Sequence, residues 1–312
     1  MNAHLHVCSI VAGLSTLLLL AACGATPPSK EPETMVGVAD KNGAVAPQRA
    51  DSIIEATARQ APDPAAFEEL LAITGALSDT PLYDGSRVQL LIDGPATYAA
   101  MLESIRDARH VVLLETYIFA DDEIGQKFAQ QLIAKRQQGV QVRIIYDSLG
   151  SAASKDSFFE TMHSAGIQII EFHNPNPLEG GNPLNINVRD HRKLLMVDGK
   201  VAYTGGINLS NTYSSSSKDR KRKDPKTEGW RDTHMAIYGP AVKGFEKIFH
   251  DNWTEHGGEP FELTEADDDH NIAGQEIVAV LSAHGGDGEE SPIFHAYLDA
   301  MKAASHRIWI TQ

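Results

Sequence analysis

The residues best suited to chemistry lie in one short segment, where His191, Lys193 and Asp198 follow one another as His-x-Lys-x4-Asp. On an extended strand His191 and Lys193 point to the same face, because side chains alternate with a period of two. An imidazole can attack phosphorus while a fixed ammonium holds the non-bridging oxygens, so this pair suits a phosphodiester. Asp198 falls outside that period. With Gly199 it forms a hairpin turn signal, and we expect it to support the catalytic pair rather than to contact substrate.

The neighbouring segments have a recognisable pattern. A second apolar strand ends in Gly205-Gly206-Ile207-Asn208, and the chain later reads Gly229-Trp230-Arg231-Asp232-Thr233-His234. Together with the motif and its flank Asn187-x-Arg189-Asp190, these residues resemble the phospholipase D superfamily, and the flanks are most similar to bacterial cardiolipin synthases. The resemblance extends from about Leu70 to Gln312. Single-motif nucleases of the superfamily usually carry Ser where this chain has Gly206, which favours the lipid branch.

The resemblance implies a role for each residue of the site. His191 is the expected nucleophile, which would form a phosphohistidine intermediate. Lys193 and Asn208 are expected to bind phosphate oxygens. Asp232 is expected to accept a hydrogen bond from the catalytic imidazole and so to fix its tautomer. Gly206 is assigned to the same group of substrate-binding or supporting residues.

The strand and helix signals of the chain alternate along much of its length. Strands are expected over 88–92, 111–119, 140–146 and 167–172, of which 111–119 and 140–146 are expected to be buried, with helical patterns between them. This alternation predicts an α/β fold: a phospholipase D-like lobe over residues 63–262, with a mixed β-sheet flanked by helices.

One acidic residue, Glu115, lies inside the apolar run 111–119. A carboxylate buried there is costly unless it is paired. Glu115 is therefore either a satisfied buried carboxylate or a supporting group near the site, and the sequence leaves both open.

Charge and composition limit the partners. The net charge is −15, with 42 acidic against 27 basic residues, which is unfavourable for binding along DNA, so no nucleic acid is expected. Both cysteines, Cys8 and Cys23, lie close to the N-terminus and supply no disulfide framework or zinc site for the domain. His234, His250 and His256 lack the spacing of a metal site, so neither a metal nor an organic cofactor is expected.

The N-terminal segment is typical of an exported protein. Residues 10–22 form an apolar run that is too short to span a bilayer, and it ends in Leu20-Ala21-Ala22-Cys23-Gly24, which is similar to a lipobox. Residues 1–23 are thus predicted to be a signal peptide with lipidation at Cys23, which would anchor a bacterial lipoprotein in the cell envelope, facing the periplasm. No Lys or Arg precedes the run, and a plain secretory signal or an uncleaved anchor remain alternatives. Residues 24–62 are predicted to be a flexible tether.

A basic run follows the motif hairpin. It reads Lys218-Asp219-Arg220-Lys221-Arg222-Lys223. It is either a solvated loop or a contact with the anionic headgroups of a membrane.

The end of the chain repeats an earlier pattern. The helix and strand of residues 101–114 can be aligned with residues 297–310 without a gap, and a strand over 275–281 precedes this copy. Residues 275–312 are therefore predicted to be the incomplete start of a second similar lobe, with a strand over 307–310. The sequence contains only one His-x-Lys-x4-Asp motif, whereas two such motifs meet at one site in the superfamily.

Three functions fit these observations. The favoured one is a C-terminally truncated phosphatidyltransferase or phospholipase D, similar to cardiolipin synthase, acting on glycerophospholipids such as phosphatidylglycerol. The second is a superfamily phosphodiesterase or nuclease that completes its site as a homodimer. The third is a non-enzymatic remnant. In the first two, a missing second lobe or a second copy must supply the other motif.

Overall fold

The computed structural model describes residues 37–61, 63–77, 81–173, 187–215, 230–264, 274–283 and 291–310. The predicted signal peptide, the lipidation site Cys23 and the basic run 218–223 lie outside the described residues. None of the helices within these ranges has the length and apolar character needed to cross a membrane.

The described residues form ten strands and seven α-helices. The strands are β1 (Val38–Asp40), β2 (Gly43–Ala44), β3 (Leu82–Ile92), β4 (Val111–Thr116), β5 (Gln141–Asp147), β6 (Gln168–Phe172), β7 (Lys193–Val197), β8 (Val201–Gly205), β9 (Thr233–Tyr238) and β10 (Glu276–Val278). The helices are α1 (Pro47–Gln60), α2 (Pro64–Leu77), α3 (Asp93–Asp107), α4 (Glu123–Gln137), α5 (Asp156–Ser164), α6 (Val242–Glu255) and α7 (Pro292–Ala303). A 3₁₀ turn occupies Asn211–Tyr213.

The strands build a mixed sheet in the order β2-β1-β3-β9-β8-β7-β4-β5-β6, with β10 on another stretch of β3. Strands β4, β5 and β6 are parallel, as expected where helices connect them. Strands β4, β7, β8, β9 and β3 are antiparallel to their neighbours in that order. This sheet confirms the predicted α/β fold class.

Helices cover both faces of the sheet. Helices α3, α4 and α5 bury apolar side chains such as Ile105, Phe128 and Met162 in one core. Helix α6 buries Phe249 and Trp253 in a second core on the other side. Strand β7 contributes to both cores, because it is buried along its whole length. The motif strand is therefore held from both sides.

The predicted tether over residues 24–62 is wrong for its described part. Within it, residues 38–60 contain β1, β2 and α1, and β1 pairs in parallel with β3. Val38, Ala50 and Leu82 are buried together. The reason is tertiary: the few apolar residues of this segment show no local period, and their partner strand begins far along the chain. These elements belong to the same compact unit as the rest of the domain.

The segment predicted to begin a second lobe contains β10 and α7, at positions where the sequence predicts a strand and a helix. Strand β10 pairs antiparallel with β3, so it extends the sheet of the lobe described above. The strand predicted over 307–310 is absent, and Trp309 is 83% exposed. A strand needs a hydrogen-bonding neighbour, and within the described ranges none lies beside this segment. The second lobe itself stays a prediction.

The turn between β7 and β8 is fixed by Asp198. This residue has a left-handed φ of 53°, a conformation that Asp tolerates better than most residues. Its carboxylate accepts hydrogen bonds from three successive backbone amides: Arg109 N at 2.7 Å, and His110 N and Val111 N at 2.8 Å. The side chain thus joins the hairpin of the motif strand to the start of β4.

Replacing Asp198 tests this connection. We expect Asp198→Ala to lower the free energy of unfolding by about 3 kcal/mol, because it removes the partner of three amides. Asp198→Asn keeps one oxygen and the tolerance for a left-handed φ, so its loss should be about half as large. Urea denaturation of the full chain measures both, with the exposed Glu160→Ala as a control. Equal stability of Asp198→Ala and the wild type would contradict the connection.

Candidate active site

His191 and Lys193 lie on one side of the segment that enters β7, as the strand period predicts. The His191 ring lies 4.6 Å from the Tyr117 ring, centroid to centroid. The Lys193 Nζ atom lies 5.4 Å from the centroid of the same ring. It also donates a hydrogen bond to the His191 backbone oxygen at 2.7 Å. Imidazole and ammonium therefore share one environment beside Tyr117.

The His191 side chain is poised as a neutral base. It is exposed to solvent on one side, and no hydrogen bond to its ring is found among the described residues. Partial burial, and then the charge of Lys193, lower its pKa, against the opposing pull of Asp190 and Asp147. The neutral form carries the lone pair that a nucleophile needs.

Lys193 is almost fully buried, with 6% of its surface exposed. Burial lowers the pKa of its ammonium to about 8, even though Asp190, Asp232 and Asp147 act in the opposite direction. At neutral pH most molecules still carry the charge. A desolvated, charged ammonium of this kind attracts a phosphate oxygen more strongly than one in water.

The residues that alternate with His191 and Lys193, Asp190 and Arg192, enter a buried polar network. Arg192 Nε lies 2.7 Å from Glu115 Oε1 and 3.0 Å from Asp190 Oδ1. Asn252 Nδ2 on α6 donates to Glu115 Oε1 at 3.1 Å and to Asp190 Oδ2 at 3.2 Å. Because Asp190 and Arg192 are held on this side, the intervening His191 is directed to the other.

The pKa values of Glu115 and Asp190 are shifted in opposite directions within this network. Burial, and then the charge of Asp190, raise the pKa of Glu115 well above its usual range, despite Arg192. Burial would also raise the pKa of Asp190, but Arg192 and the hydrogen bond from Glu115 outweigh it and hold the value below normal. These opposite shifts favour the neutral form of Glu115 and the charged form of Asp190, whose negative charge balances Arg192. Glu115 Oε1 is paired with Arg192 and Asn252, whereas Oε2 is buried without a hydrogen-bond partner among the described residues, so the carboxyl supports the site but is only partly satisfied.

Asp147 at the end of β5 anchors the segment before His191. Its carboxylate accepts from Asp190 N at 3.0 Å and lies 3.3 Å from Arg189 Nη1. It also accepts from the backbone amides of Leu149 and Gly150, both at 2.9 Å. The backbone on the N-terminal side of His191 is thus tied to the edge of the parallel part of the sheet.

Gly206 and Asp232 lie against each other. A Cβ atom at position 206 would overlap the Asp232 carboxylate, so glycine makes room for it. The prediction that Asp232 accepts a hydrogen bond from the His191 imidazole is wrong, because no such bond joins the two residues within the described part of the chain. Asp232 Oδ1 accepts a hydrogen bond from Thr233 N at 2.7 Å. The negative charge of Asp232 raises the pKa of Lys193. Strand β8 separates the strand of Asp232 from that of His191, which explains the difference.

Asn208 is buried and both ends of its side chain are engaged. Its Oδ1 accepts from Ile118 N at 3.1 Å, and its Nδ2 donates to Tyr213 Oη at 2.8 Å. These two bonds use only one of the two Nδ2 hydrogens, so the predicted contact of Asn208 with phosphate stays a prediction. Asp198, grouped with the catalytic residues by the motif, lies at the opposite end of β7 and acts on the fold, as the sequence analysis expects.

His234 is a further imidazole near the ammonium. It pairs with Gly205 across β8 and β9 and is 1% exposed. Burial, and then the charge of Lys193, lower its pKa to about 3, so the ring is neutral. Within the described residues, neither ring nitrogen has a hydrogen-bond partner.

A cavity of about 340 Å³ opens beside His191. Its wall includes the segment 188–192, His173, Glu255 and His256. It offers space next to the imidazole for a group larger than water.

Sequence reasoning missed several supporting residues: Tyr117, Asp147, Arg189, Asp190, Arg192 and Asn252. Asp190 and Arg192 alternate with His191 and Lys193, so the strand period was a usable signal for them. The period does not place Tyr117, which follows Glu115 by two residues but lies beyond the end of β4, on the side of His191 and Lys193. No pattern in the neighbouring sequence indicates a role for Asn252, which contacts Glu115 from α6.

Comparison with known proteins agrees with this geometry. Residues 101–220 match the family model described as cardiolipin synthase, PLD-like domain. Over 237 residues the chain is 34% identical to cardiolipin synthase A of Pseudomonas putida, covering 75% of this chain and 47% of that protein. It is 32% identical to cardiolipin synthase 1 of Bacillus anthracis, covering 74% of this chain and 45% of that protein. The chain spans about half the length of these relatives.

Among solved structures, Nuc from Salmonella typhimurium, a phospholipase D family member, is 16% identical and covers 56% of this chain and 99% of its own, with a TM-score of 0.40. The chain belongs to the phospholipase D superfamily and carries a domain of the cardiolipin synthase-like kind.

The effect of the Asp232 charge on the pKa of Lys193 should be measurable. We expect Asp232→Asn to lower the pKa of Lys193 below about 8, because it removes a negative charge that stabilises the ammonium against burial. Titration of the Lys193 side-chain resonances by NMR, assigned with Lys193→Arg, measures the shift. The exposed Glu103→Gln serves as the control. A pKa that is unchanged or higher in Asp232→Asn would contradict the proximity of the two groups.

Because Glu115 and Asp190 differ in charge, replacing each by its amide should change the free energy of unfolding by different amounts. Glu115→Gln should change the free energy of unfolding by less than about 1 kcal/mol, because the native carboxyl is already neutral. Asp190→Asn should cost about 3 kcal/mol, because it leaves the buried Arg192 without a counter-charge. Chemical denaturation at pH 7 compares the two isosteric variants directly. The assignment of the proton to Glu115 fails if Glu115→Gln proves the more damaging.

Proposed function

We propose that this domain supplies one half of a phosphatidyl-transfer site, with His191 as the nucleophile. The observation that carries the proposal is the placement of a neutral, accessible imidazole and a desolvated ammonium on the same side of one segment, both against Tyr117. The similarity to cardiolipin synthases supports a phospholipid as the substrate.

The reaction begins with attack of a His191 ring nitrogen on the phosphorus of a glycerophospholipid. A P–N bond forms and the P–O bond to the leaving alcohol breaks, which leaves the phosphatidyl group on His191. Lys193 holds the non-bridging oxygens and stabilises the charge that builds up on them. An acceptor hydroxyl then attacks phosphorus, the P–N bond breaks and His191 is regenerated.

This scheme requires a general acid for the leaving alkoxide, which then removes the proton of the acceptor. We assign this role to the imidazole of a second motif, carried by a further lobe or by a second copy of the domain. Two molecules of phosphatidylglycerol would then give cardiolipin and glycerol. Water as the acceptor would give phosphatidic acid instead.

The location at a membrane is part of the proposal. Lipidation at Cys23 and the basic run 218–223 would hold the domain close to its lipid substrate. The excess of 42 acidic over 27 basic residues argues against a long polyanion as the substrate.

Removal of the nucleophile is the direct test. His191→Ala should abolish the phosphatidyl-enzyme adduct and lower turnover of phosphatidylglycerol on the order of 10⁴-fold or more. The exposed imidazole makes no hydrogen bond within the described residues, so folding should be retained. Mass spectrometry after alkaline quenching detects the adduct, because a phosphohistidine is labile in acid. Circular dichroism checks the fold.

The control is His163→Ala on the exposed face of α5, which should keep the adduct and the turnover. Full activity in His191→Ala would remove this residue from the reaction. Tight DNA binding that weakens steeply with salt, without any lipid product, would instead favour the nuclease alternative.

A further inference from the structure

Two histidines outside the motif meet in the wall of the cavity beside His191. His173 follows β6, and His256 follows the last residue of α6. Their Nε2 atoms are 3.2 Å apart, and their ring centroids are 5.0 Å apart. The proposed lipid chemistry gives neither residue a role.

Hydrogen bonds fix the tautomer of both rings. His173 Nδ1 lies 3.1 Å from the Val188 carbonyl oxygen, and His256 Nδ1 lies 2.9 Å from the Asn252 carbonyl oxygen. A carbonyl only accepts, so each Nδ1 carries a hydrogen and donates it. In the neutral rings, both Nε2 atoms are then bare lone pairs directed at each other. Such an arrangement needs an electron-poor species between them.

The distances match two ligands of one metal ion. Two nitrogens at about 2.0–2.1 Å from a tetrahedral Zn²⁺ stand about 3.3 Å apart, close to the observed separation. A shared proton prefers a linear arrangement, which at this separation would place the ring centroids about 5.5 Å apart. The observed 5.0 Å departs from that linear arrangement and equals the separation expected when both nitrogens bind one ion at about 2.0–2.1 Å.

The surroundings also suit a cation. Ligating histidines usually donate their other ring N–H to a carbonyl or carboxylate, as both rings do here. His256 caps the C-terminus of α6, where the aligned backbone carbonyls favour positive charge. Glu255 lines the same cavity.

The backbone of His173 is held in an unusual conformation. Its φ is 46°, in the left-handed region that non-glycine residues seldom occupy, and such positions concentrate at functional sites. Its carbonyl accepts from Ser148 Oγ and from Arg189 Nη2, both at 2.9 Å. These bonds fix the ring in the position that meets His256.

We infer that His173 and His256 form a two-histidine site for a divalent transition-metal ion such as Zn²⁺. No cluster of three or more His, Cys, Asp or Glu side chains arranged to hold a metal occurs in the described part of the chain. The remaining coordination positions therefore belong to water or to an added ligand in the cavity. Imidazole ligands select Zn²⁺, Cu²⁺ or Ni²⁺ over Mg²⁺ or Ca²⁺.

The test is metal binding by the full chain, produced without a polyhistidine tag and freed of metal by chelation. Isothermal titration with Zn²⁺ should reveal one bound ion that both His173→Asn and His256→Gln lose, with affinity lowered at least tenfold. Asn suits position 173 because it tolerates a left-handed backbone. His163→Gln is the matched control and should bind as the wild type does. Mg²⁺ should not compete.

Two results would overturn the site. One is Zn²⁺ binding that persists unchanged in both folded variants. The other is the absence of that ion in the wild type, with ¹⁵N NMR showing a proton shared between the two Nε2 atoms. The readout is binding rather than lipid turnover, so its outcome is independent of the proposed function.

Discussion

The site depends on one constraint: side chains in an extended segment alternate between two sides. Asp190 and Arg192 enter a buried network with Glu115 and Asn252. His191 and Lys193 consequently face the other way, against Tyr117. Charges buried within a core are stable only when they are paired and hydrogen-bonded, so the network has few alternative arrangements. The orientation of His191 and Lys193 is thereby set by residues on the opposite side of the segment.

The same arrangement also determines the protonation states of Lys193, His191 and His234. Burial removes water from Lys193 while three carboxylates in its surroundings oppose the loss of its charge, so the ammonium persists at neutral pH. That charge in turn helps to keep His191 and His234 neutral. A neutral imidazole beside a desolvated cation combines a nucleophile with a site for phosphate oxygens. The fold therefore produces its chemistry from electrostatics within the chain.

Local patterns in the sequence carried much of this information. The period of two along the motif placed His191 and Lys193 together, and the Asp198-Gly199 signal predicted the hairpin. Features that depend on distant partners were not predictable. The sequence predicts a tether where β1 and α1 lie, because their partner strand is remote. It also predicts a bond between Asp232 and His191, because sequence alone does not place the intervening β8. His173 and His256, which are 83 residues apart, share no sequence signal.

The central claim is that His191 and Lys193 act on one phosphorus centre together. A crystal structure of the chain with vanadate, which adopts the five-coordinate geometry of phosphoryl transfer, tests it most directly. We expect vanadium bonded to a His191 ring nitrogen, with a vanadate oxygen within hydrogen-bond distance of Lys193 Nζ. Vanadate bound at full occupancy away from His191, or on His191 with Lys193 Nζ still directed only at the backbone, would contradict it.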